Sequence, residues 1–191
     1  MRTLILGVIA SALLWANKED VYDTSLDIID NVWITWTAED TRPDRSLQGM
    51  RYRVWLDLCM DYRAEADCQG ILVPKIKTFR PNPLRPGLAG YYKGGDVVYV
   101  RSNLKYIERE EVLAHEMSHY LDVELGLANV PGFAREICFS EKRAWRVSDL
   151  FWQRQGYAED SRKMVGSKWT NWYSHCKPLQ SELYPDEFPA S

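Results

Sequence analysis

The chain has 191 residues, a length typical of a single domain. Hydrophobic residues make up 46% and charged residues 27% of it, which excludes a collagen-like, coiled-coil or wholly disordered chain. The formal net charge of −3 leaves no excess of basic side chains to neutralise phosphates, so we expect no nucleic-acid partner.

The N-terminal segment is typical of a secretory signal peptide. Arg2 precedes an almost unbroken apolar run over 3–15, and the small residue Ala16 precedes polar residues. We therefore predict a signal peptide over 1–16 and a secreted or periplasmic mature protein. The alternatives are an uncleaved anchor or a buried helix, although a membrane span needs about 20 apolar residues. After signal removal we expect no stable membrane association.

The remainder, 17–177, is predicted to form one domain, followed by a loose proline-containing tail over 178–191. Apolar spacings of three and four predict an amphipathic helix over 20–37, whose tryptophan-containing end could instead be extended. A second amphipathic helix is predicted over 47–60. The sequence leaves open whether 17–46 is a pro-segment.

The four cysteines are expected to form two disulfides, because export leads to an oxidising compartment. Cys59 and Cys68 flank a short polar loop and are the natural local pair, which leaves Cys138 and Cys176 for the second bridge. A metal site built from cysteines is disfavoured, since no two of them have C-x-x-C spacing.

A small sheet is predicted in the middle of the chain. The segment 71–79 is typical of a strand, and Pro74 favours an edge position or a bulge. Gly94-Gly95 separates two further extended segments and predicts a hairpin whose turn tolerates positive φ. With the helices, these elements predict an α+β fold with a small antiparallel sheet.

The next predicted helix, 104–125, carries an H-E-x-x-H motif at His115, Glu116 and His119. Side chains at i and i+4 lie on one helix face, so both imidazoles can reach the same zinc ion. Glu116 can then take a proton from water at the metal. The motif therefore predicts a Zn2+ site with a general base beside it.

A catalytic zinc ion takes three protein ligands, so one more must come from outside the motif. Glu141 lies on a core-facing stripe of the following predicted helix, 131–155, where an unpaired carboxylate is costly. Glu136 lies on a more polar stripe, and Asp122 follows the motif by one turn. Glu141 is the favoured ligand and the other two stay as alternatives; Asp122 also fits as a hydrogen-bond acceptor for a ligand imidazole.

An H-E-x-x-H motif followed by a glutamate on the next helix resembles the zincin metallopeptidases, in particular the gluzincin branch. The resemblance covers about residues 88–152, and it implies His115, His119 and Glu141 as zinc ligands and Glu116 as general base. The chain departs from the thermolysin-like pattern at Trp145, where those enzymes have an aspartate, and it is too short for their two-domain body. A zincin-like fold of compact size is therefore expected.

The same resemblance implies an antiparallel edge strand above the cleft, which holds an extended peptide by backbone hydrogen bonds. Two segments are candidates. One is the strand 96–100, whose residues Asp96, Val97 and Val98 are then expected to bind substrate. The other is the segment 91–93 on the opposite side of the hairpin.

Peptide hydrolysis also needs a hydrogen-bond donor for the oxyanion. In the related enzymes this donor is a tyrosine or histidine outside the zinc helices. His175 is the first choice, because a Cys138–Cys176 bridge brings it close to the second helix. Tyr157 and Tyr173 are alternatives, and an ordinary surface role for His175 is equally open.

The sequence therefore predicts a monomeric, secreted zinc peptidase that acts on peptide or protein substrates. The alternatives are a non-catalytic zincin-like binding or structural module and a hydrolase of cell-wall peptides. Glu116 favours catalysis, because a purely structural zinc site has no need of a general base and takes a fourth protein ligand.

Overall fold

The computed structural model describes residues 32–35, 37–40, 45–63, 68–129, 134–157, 166–171 and 173–187. The predicted signal peptide, most of the predicted first helix and the predicted helix start at Pro131 lie outside these ranges. The fold is α+β. In the described ranges, no helix combines the length and apolar character that crossing a bilayer requires.

Four strands form a mixed sheet in the order β1-β2-β4-β3. The strands are β1 (Glu39–Asp40), β2 (Lys75–Phe79), β3 (Gly90–Tyr92) and β4 (Val97–Arg101). β2 and β4 are parallel, whereas both outer pairs are antiparallel. The prediction of a purely antiparallel sheet is wrong, because β3 takes the outside of β4 and leaves β4 to lie beside β2.

The predicted edge position of the segment 71–79 is also wrong. β2 pairs on both sides, with β1 and with β4. The strand begins only at Lys75, so Pro74, which has no N–H to donate, stays outside the ladder. The hairpin is confirmed: Gly94 and Gly95 have φ of 94° and 78° between β3 and β4.

Three long helices pack against this sheet and against one another. They are α1 (Arg45–Asp57), which continues as a π-helical turn (Leu58–Tyr62), α2 (Tyr106–Glu124) and α3 (Ala134–Arg154). All three correspond to predicted helices. α2 ends before Gly126, whose φ of 67° is the left-handed conformation that glycine adopts after a helix.

The largest core cluster lies between the sheet, α1 and α2. Leu113, Met117 and Leu121 repeat every fourth residue on α2 and are fully buried against Val98 and Val100 of β4. Burying each of these side chains contributes roughly 1.5–3 kcal/mol. This packing fixes the rotation of α2, so that its remaining buried face is turned towards α3.

Both predicted disulfides are present. Cys59–Cys68 joins the π-helical turn to the segment before β2. Cys138–Cys176 joins α3 to a 3-10 helix, Ser174–Leu179, and both of its cysteines are fully buried. The second bridge therefore anchors the C-terminal segment on the helix that carries Glu141.

The prediction of a loose tail is wrong for residues 178–187. A 3-10 helix, Gly166–Asn171, and a short helix α4, Gln180–Leu183, pack on α3. Leu183 is fully buried with Trp169, whose indole N–H donates to the hydroxyl of Tyr184 at 2.7 Å. Proline did not prevent this order, because Pro178 fits inside the 3-10 helix.

Candidate metal centre

The buried face between α2 and α3 brings two histidines and one carboxylate together. His115 and His119 lie one helical turn apart on α2, and Glu141 faces them from α3. His115 and Glu141 are each 8% exposed. Helix packing thus unites residues that are 22 positions or more apart in the chain.

The three donor groups have the spacing of metal ligands. Nε2 of His115 lies 3.3 Å from Nε2 of His119. The carboxylate oxygens of Glu141 lie 3.6 Å and 3.5 Å from these two nitrogens, respectively. Two donor atoms that are each about 2.05 Å from a tetrahedral ion are about 3.3 Å apart, so this triad could hold a metal ion after small adjustments.

Glu141 meets a further requirement of a ligand. Its Oε2 is buried and has no hydrogen-bond partner among the described residues. Burial by itself raises the pKa of Glu141, but the two histidines, with a smaller effect of Tyr173, outweigh it and hold the pKa below its usual value. The carboxylate is therefore favoured in its charged form, which is the form that binds a cation.

The two alternative third ligands have other partners. Asp122 is fully buried and accepts hydrogen bonds from Arg63, Arg143 and Ser140 at 2.6–2.9 Å. The carboxylate of Glu136 accepts from the side-chain amide of Asn129. Of the three candidates, the structure places Glu141 against both imidazoles.

Two serines of α3 contact the far sides of the imidazoles. Nδ1 of His119 lies 2.8 Å from Oγ of Ser140, and Nδ1 of His115 lies 3.1 Å from Oγ of Ser148. Both rings therefore turn Nε2 towards Glu141. The indole of Trp145 also packs edge-on against His115, with ring centroids 4.7 Å apart, where thermolysin-like enzymes have an aspartate.

Glu116 lies beside the triad in an electrostatically unusual position. Burial raises its pKa to about 8, with Glu141 and Glu111 adding to the rise and His115 opposing it. Burial lowers the pKa of His115, but the nearby carboxylate of Glu141, with those of Glu116 and Glu111, outweighs this effect and raises the pKa to about 9. The chain therefore packs three carboxylates around one imidazole.

Gly90 in β3 touches the candidate general base. A Cβ atom at this position would lie 2.6 Å from both Cγ and Oε1 of Glu116, and 2.6 Å from Cγ1 of Val112. Only glycine lets the strand approach this closely. The sequence alone does not reveal this contact, because nothing local shows which side chain the strand meets.

The prediction that Asp96, Val97 and Val98 offer a free strand edge is wrong. β4 is an interior strand, with β2 on one side and β3 on the other. The carbonyl of Asp96 already accepts from the N–H of Lys75 at 2.7 Å. Within the described part of the chain, the outer strand on this side is β3, which contains most of the alternative segment 91–93.

The hydrogen-bond alternation shows which groups of β3 face outwards. The N–H of Arg101 donates to the carbonyl of Ala89 at 2.8 Å, so this pair is of the hydrogen-bonded type. Pairs alternate along an antiparallel ladder, so Tyr91 is bonded to β4 and the N–H and C=O groups of Gly90 and Tyr92 point away from it. The outward groups of β3 therefore begin at Gly90, the residue that lies against Glu116.

The three candidate oxyanion donors occupy different places. Tyr173 lies close to Glu141, and burial together with the charges of Glu141 and Glu116 raises its pKa well above the usual value. The ring of His175 lies beside the Cys138–Cys176 disulfide and 6.0 Å from the ring of Tyr173. Tyr157 is 51% exposed and packs on Trp152.

The nitrogen and sulfur atoms of His175, Cys138 and Cys176 lie within 4.8 Å of one another. Both sulfurs are in a disulfide, so they cannot serve as thiolate ligands. The triad of His115, His119 and Glu141 is thus the metal site that the described residues support.

Comparisons of the chain with protein-family models, with curated proteins and with solved structures found no match. The arrangement of side chains at the triad is therefore the basis of any functional assignment.

Proposed function

We propose that the chain is a secreted zinc-dependent peptidase of the zincin type, in which His115, His119 and Glu141 bind the ion and Glu116 is the general base. The observation that carries this proposal is the spacing of the three donor atoms, 3.3–3.6 Å, close to that of ligands around a tetrahedral ion. The two predicted disulfides, both present, support export.

The donor set favours zinc and a catalytic site. Two imidazoles and one carboxylate are the ligands of many hydrolytic zinc ions, and three protein ligands leave one position open. When bound there, zinc supplies a Lewis acid and lowers the pKa of water in the site. A structural site would instead close the fourth position with another side chain.

Glu116 is proposed as the general base that transfers a proton during peptide hydrolysis. It follows the first ligand directly, is 8% exposed, and makes no ion pair with any lysine or arginine of the described ranges. A buried carboxylate without such a partner costs stability, and a non-catalytic module gains nothing from it. A carboxyl group whose pKa of about 8 lies near neutral pH is suited to take a proton from water and pass it to the leaving amine.

Tyr173 is proposed as the oxyanion donor in place of His175. Its phenol lies close enough to Glu141 and Glu116 for both carboxylates to raise its pKa, so it belongs to the same buried cluster as the third ligand and the base. A phenol kept protonated by burial is a suitable donor to a developing negative charge.

An extended peptide is the proposed substrate, and β3 is the proposed strand that holds it. The outward N–H and C=O groups of Gly90 and Tyr92 provide the ladder for one added strand. Because Gly90 touches Glu116, a peptide paired with this edge passes directly over the base.

Hydrolysis of a peptide library tests this function. The wild-type chain and the Glu116→Gln variant are loaded with the same amount of zinc, and cleavage is followed by mass spectrometry. We expect the variant to lose activity by a factor of at least about 100, as for removal of a general base. Glu124→Gln, an exposed change on the same helix, should keep the wild-type rate. An equal rate in Glu116→Gln, or no cleavage by the zinc-loaded wild type, overturns the proposal.

A further inference from the structure

A continuous hydrogen-bonded path leads from His119 to a buried ion cluster. Nδ1 of His119 lies 2.8 Å from Oγ of Ser140, which donates to Oδ2 of Asp122 at 2.6 Å. Asp122 in turn accepts from Nη1 of Arg63 and Nε of Arg143, each at 2.9 Å. Helices α2 and α3 and the segment after the π-helical turn all contribute to this path.

The proton positions along this path follow from counting donors. A serine hydroxyl has one proton, and an ionised carboxylate only accepts. Asp122 accepts from two guanidinium groups, which can only donate, so its carboxylate is an acceptor and the proton of Ser140 points to it. The oxygen of Ser140 can then only accept from His119, which places the ring proton on Nδ1 and leaves the lone pair on Nε2.

We propose that Ser140 is a positioning residue, which fixes the tautomer and the ring orientation of His119 so that Nε2 faces Glu141. This inference rests on the proposed metal site for its purpose, although the tautomer itself is a property of the metal-free chain. An imidazole prepared in this way binds a cation without first moving a proton or turning its ring.

The path also gives a reason for the burial of Asp122 beside the motif, although its carboxylate is not one of the three metal-donor groups. It serves as a fixed acceptor behind Ser140, held by Arg63 from one side and Arg143 from the other. Arg63 directly follows the π-helical turn and lies within the loop that the Cys59–Cys68 bridge closes, and its Nη1 also donates to Ser118 at 3.1 Å. The acceptor is thus anchored outside the two helices that carry the ligands.

Zinc affinity, measured by competition with a chromophoric chelator, tests this role in variants of position 140. Ser140→Ala should bind zinc about 10–100-fold more weakly, as is typical when such a partner is removed. Ser140→Thr, which keeps the hydroxyl, should stay within a few-fold of the wild type. Ser167→Ala removes another serine that donates to a carboxylate, that of Glu187, and should leave the affinity unchanged.

Long-range ¹⁵N NMR of the metal-free chain, at neutral to mildly alkaline pH, provides a readout that a merely structural role would not move. We expect the Nδ1–H form of His119 in the wild type and in Ser140→Thr, and a population of the Nε2–H form in Ser140→Ala. The Nε2–H form in the wild type overturns the inference even if no position-140 variant folds. Unchanged affinity in Ser140→Ala overturns it as well, whereas a wild type with the expected tautomer that binds no zinc refutes only the proposed function.

Discussion

Nε2 of His115 lies 3.3 Å from Nε2 of His119, and neither nitrogen is turned towards a serine. Two imidazole lone pairs repel at this distance unless a proton or a cation lies between them. Glu141 approaches the same point from the opposite helix. The fold therefore brings three metal-donor side chains to one place, where the neighbouring residues determine their charge and orientation.

The contact of Gly90 with Glu116 predicts that Gly90→Ala is harmful. The new Cβ would lie 2.6 Å from Cγ of Glu116, so β3 or the carboxylate must move. We expect a loss of stability of about 1–3 kcal/mol, measured by denaturant unfolding, together with reduced peptidase activity.

Gly49→Ala is the matched control for that change. A Cβ at Gly49 of α1 would meet nothing within 4 Å, so this helix variant should be neutral or more stable by about 0.5–1 kcal/mol. Equal effects of the two alanines on stability and on activity would show that β3 does not press on the base.

Tyr173→Phe should lower kcat about 100-fold, because it removes the proposed oxyanion donor and leaves the ring in place. Its zinc content should stay the same as in the wild type, since Tyr173 is not one of the three donors. Tyr157→Phe changes an exposed phenol and should have no effect. A full rate in Tyr173→Phe combined with a large loss in His175→Asn would return the role to His175.

Replacing both cysteines of a bridge by alanine should cost more stability at Cys138–Cys176 than at Cys59–Cys68. The two bridges span 38 and 9 residues, respectively. Chain entropy alone makes the longer loop about 1 kcal/mol more stabilising, and the full burial of Cys138 and Cys176 adds to this difference. Thermal and denaturant unfolding of the two double variants would measure it, and the reverse order would contradict the packing of the C-terminal segment on α3.

The metal-free chain should become less stable as the pH rises from about 6.5 to about 9. Burial raises the pKa of Glu116 from 4.5 to about 8; against the opposing effect of burial, Glu141 raises that of His115 from 6.5 to about 9. Both groups then hold protons in the folded chain that the unfolded chain has released, so the free energy of unfolding falls by up to about 1.4 kcal/mol per pH unit for each proton.

Glu116→Gln isolates one of these two groups. Its unfolding free energy, measured with a chelator present, should fall less steeply than that of the wild type between about pH 4.5 and 8, because the amide does not titrate. Glu124→Gln, at an exposed position of the same helix, should keep the wild-type slope. Equal slopes in Glu116→Gln and the wild type would be incompatible with the raised pKa of the buried carboxylate.

The sequence predicted those parts of the site that depend on helix periodicity. The motif places His115 and His119 on one face, and the core-facing stripe of α3 distinguishes Glu141 from Glu136. Both inferences need only the position of residues within one helix. For the same reason Ser140 was not singled out, because its role depends on the packing of α3 against α2.

Strand order was not predictable in this way, because alternation within a strand does not reveal its neighbours. One signal was present: β4 reads Val-Val-Tyr-Val, with three consecutive buried residues, a pattern typical of interior strands of parallel character. It argued against the edge position that we expected for Val97 and Val98.

The sequence favours His175 over Tyr173 as the oxyanion donor because His175 is next to Cys176 in the chain. The pairing of Cys138 with Cys176 correctly brought this segment to α3. In the 3-10 geometry residues three apart lie on the same side, and the N–H of Cys176 bonds the carbonyl of Tyr173 at 2.9 Å. Tyr173 therefore shares the side of Cys176 that faces α3, whereas His175 is turned away from it by a third of a turn.

Zinc stoichiometry tests the central claim most directly. The purified chain is equilibrated with buffered zinc, and bound metal is counted by elemental analysis in the wild type, His115→Ala, Glu141→Ala and Glu136→Ala. We expect about one ion per chain in the wild type and in Glu136→Ala, and loss of the ion in the other two variants. A wild type that takes up no zinc, or a Glu141→Ala variant that holds it as tightly as the wild type, would contradict the account.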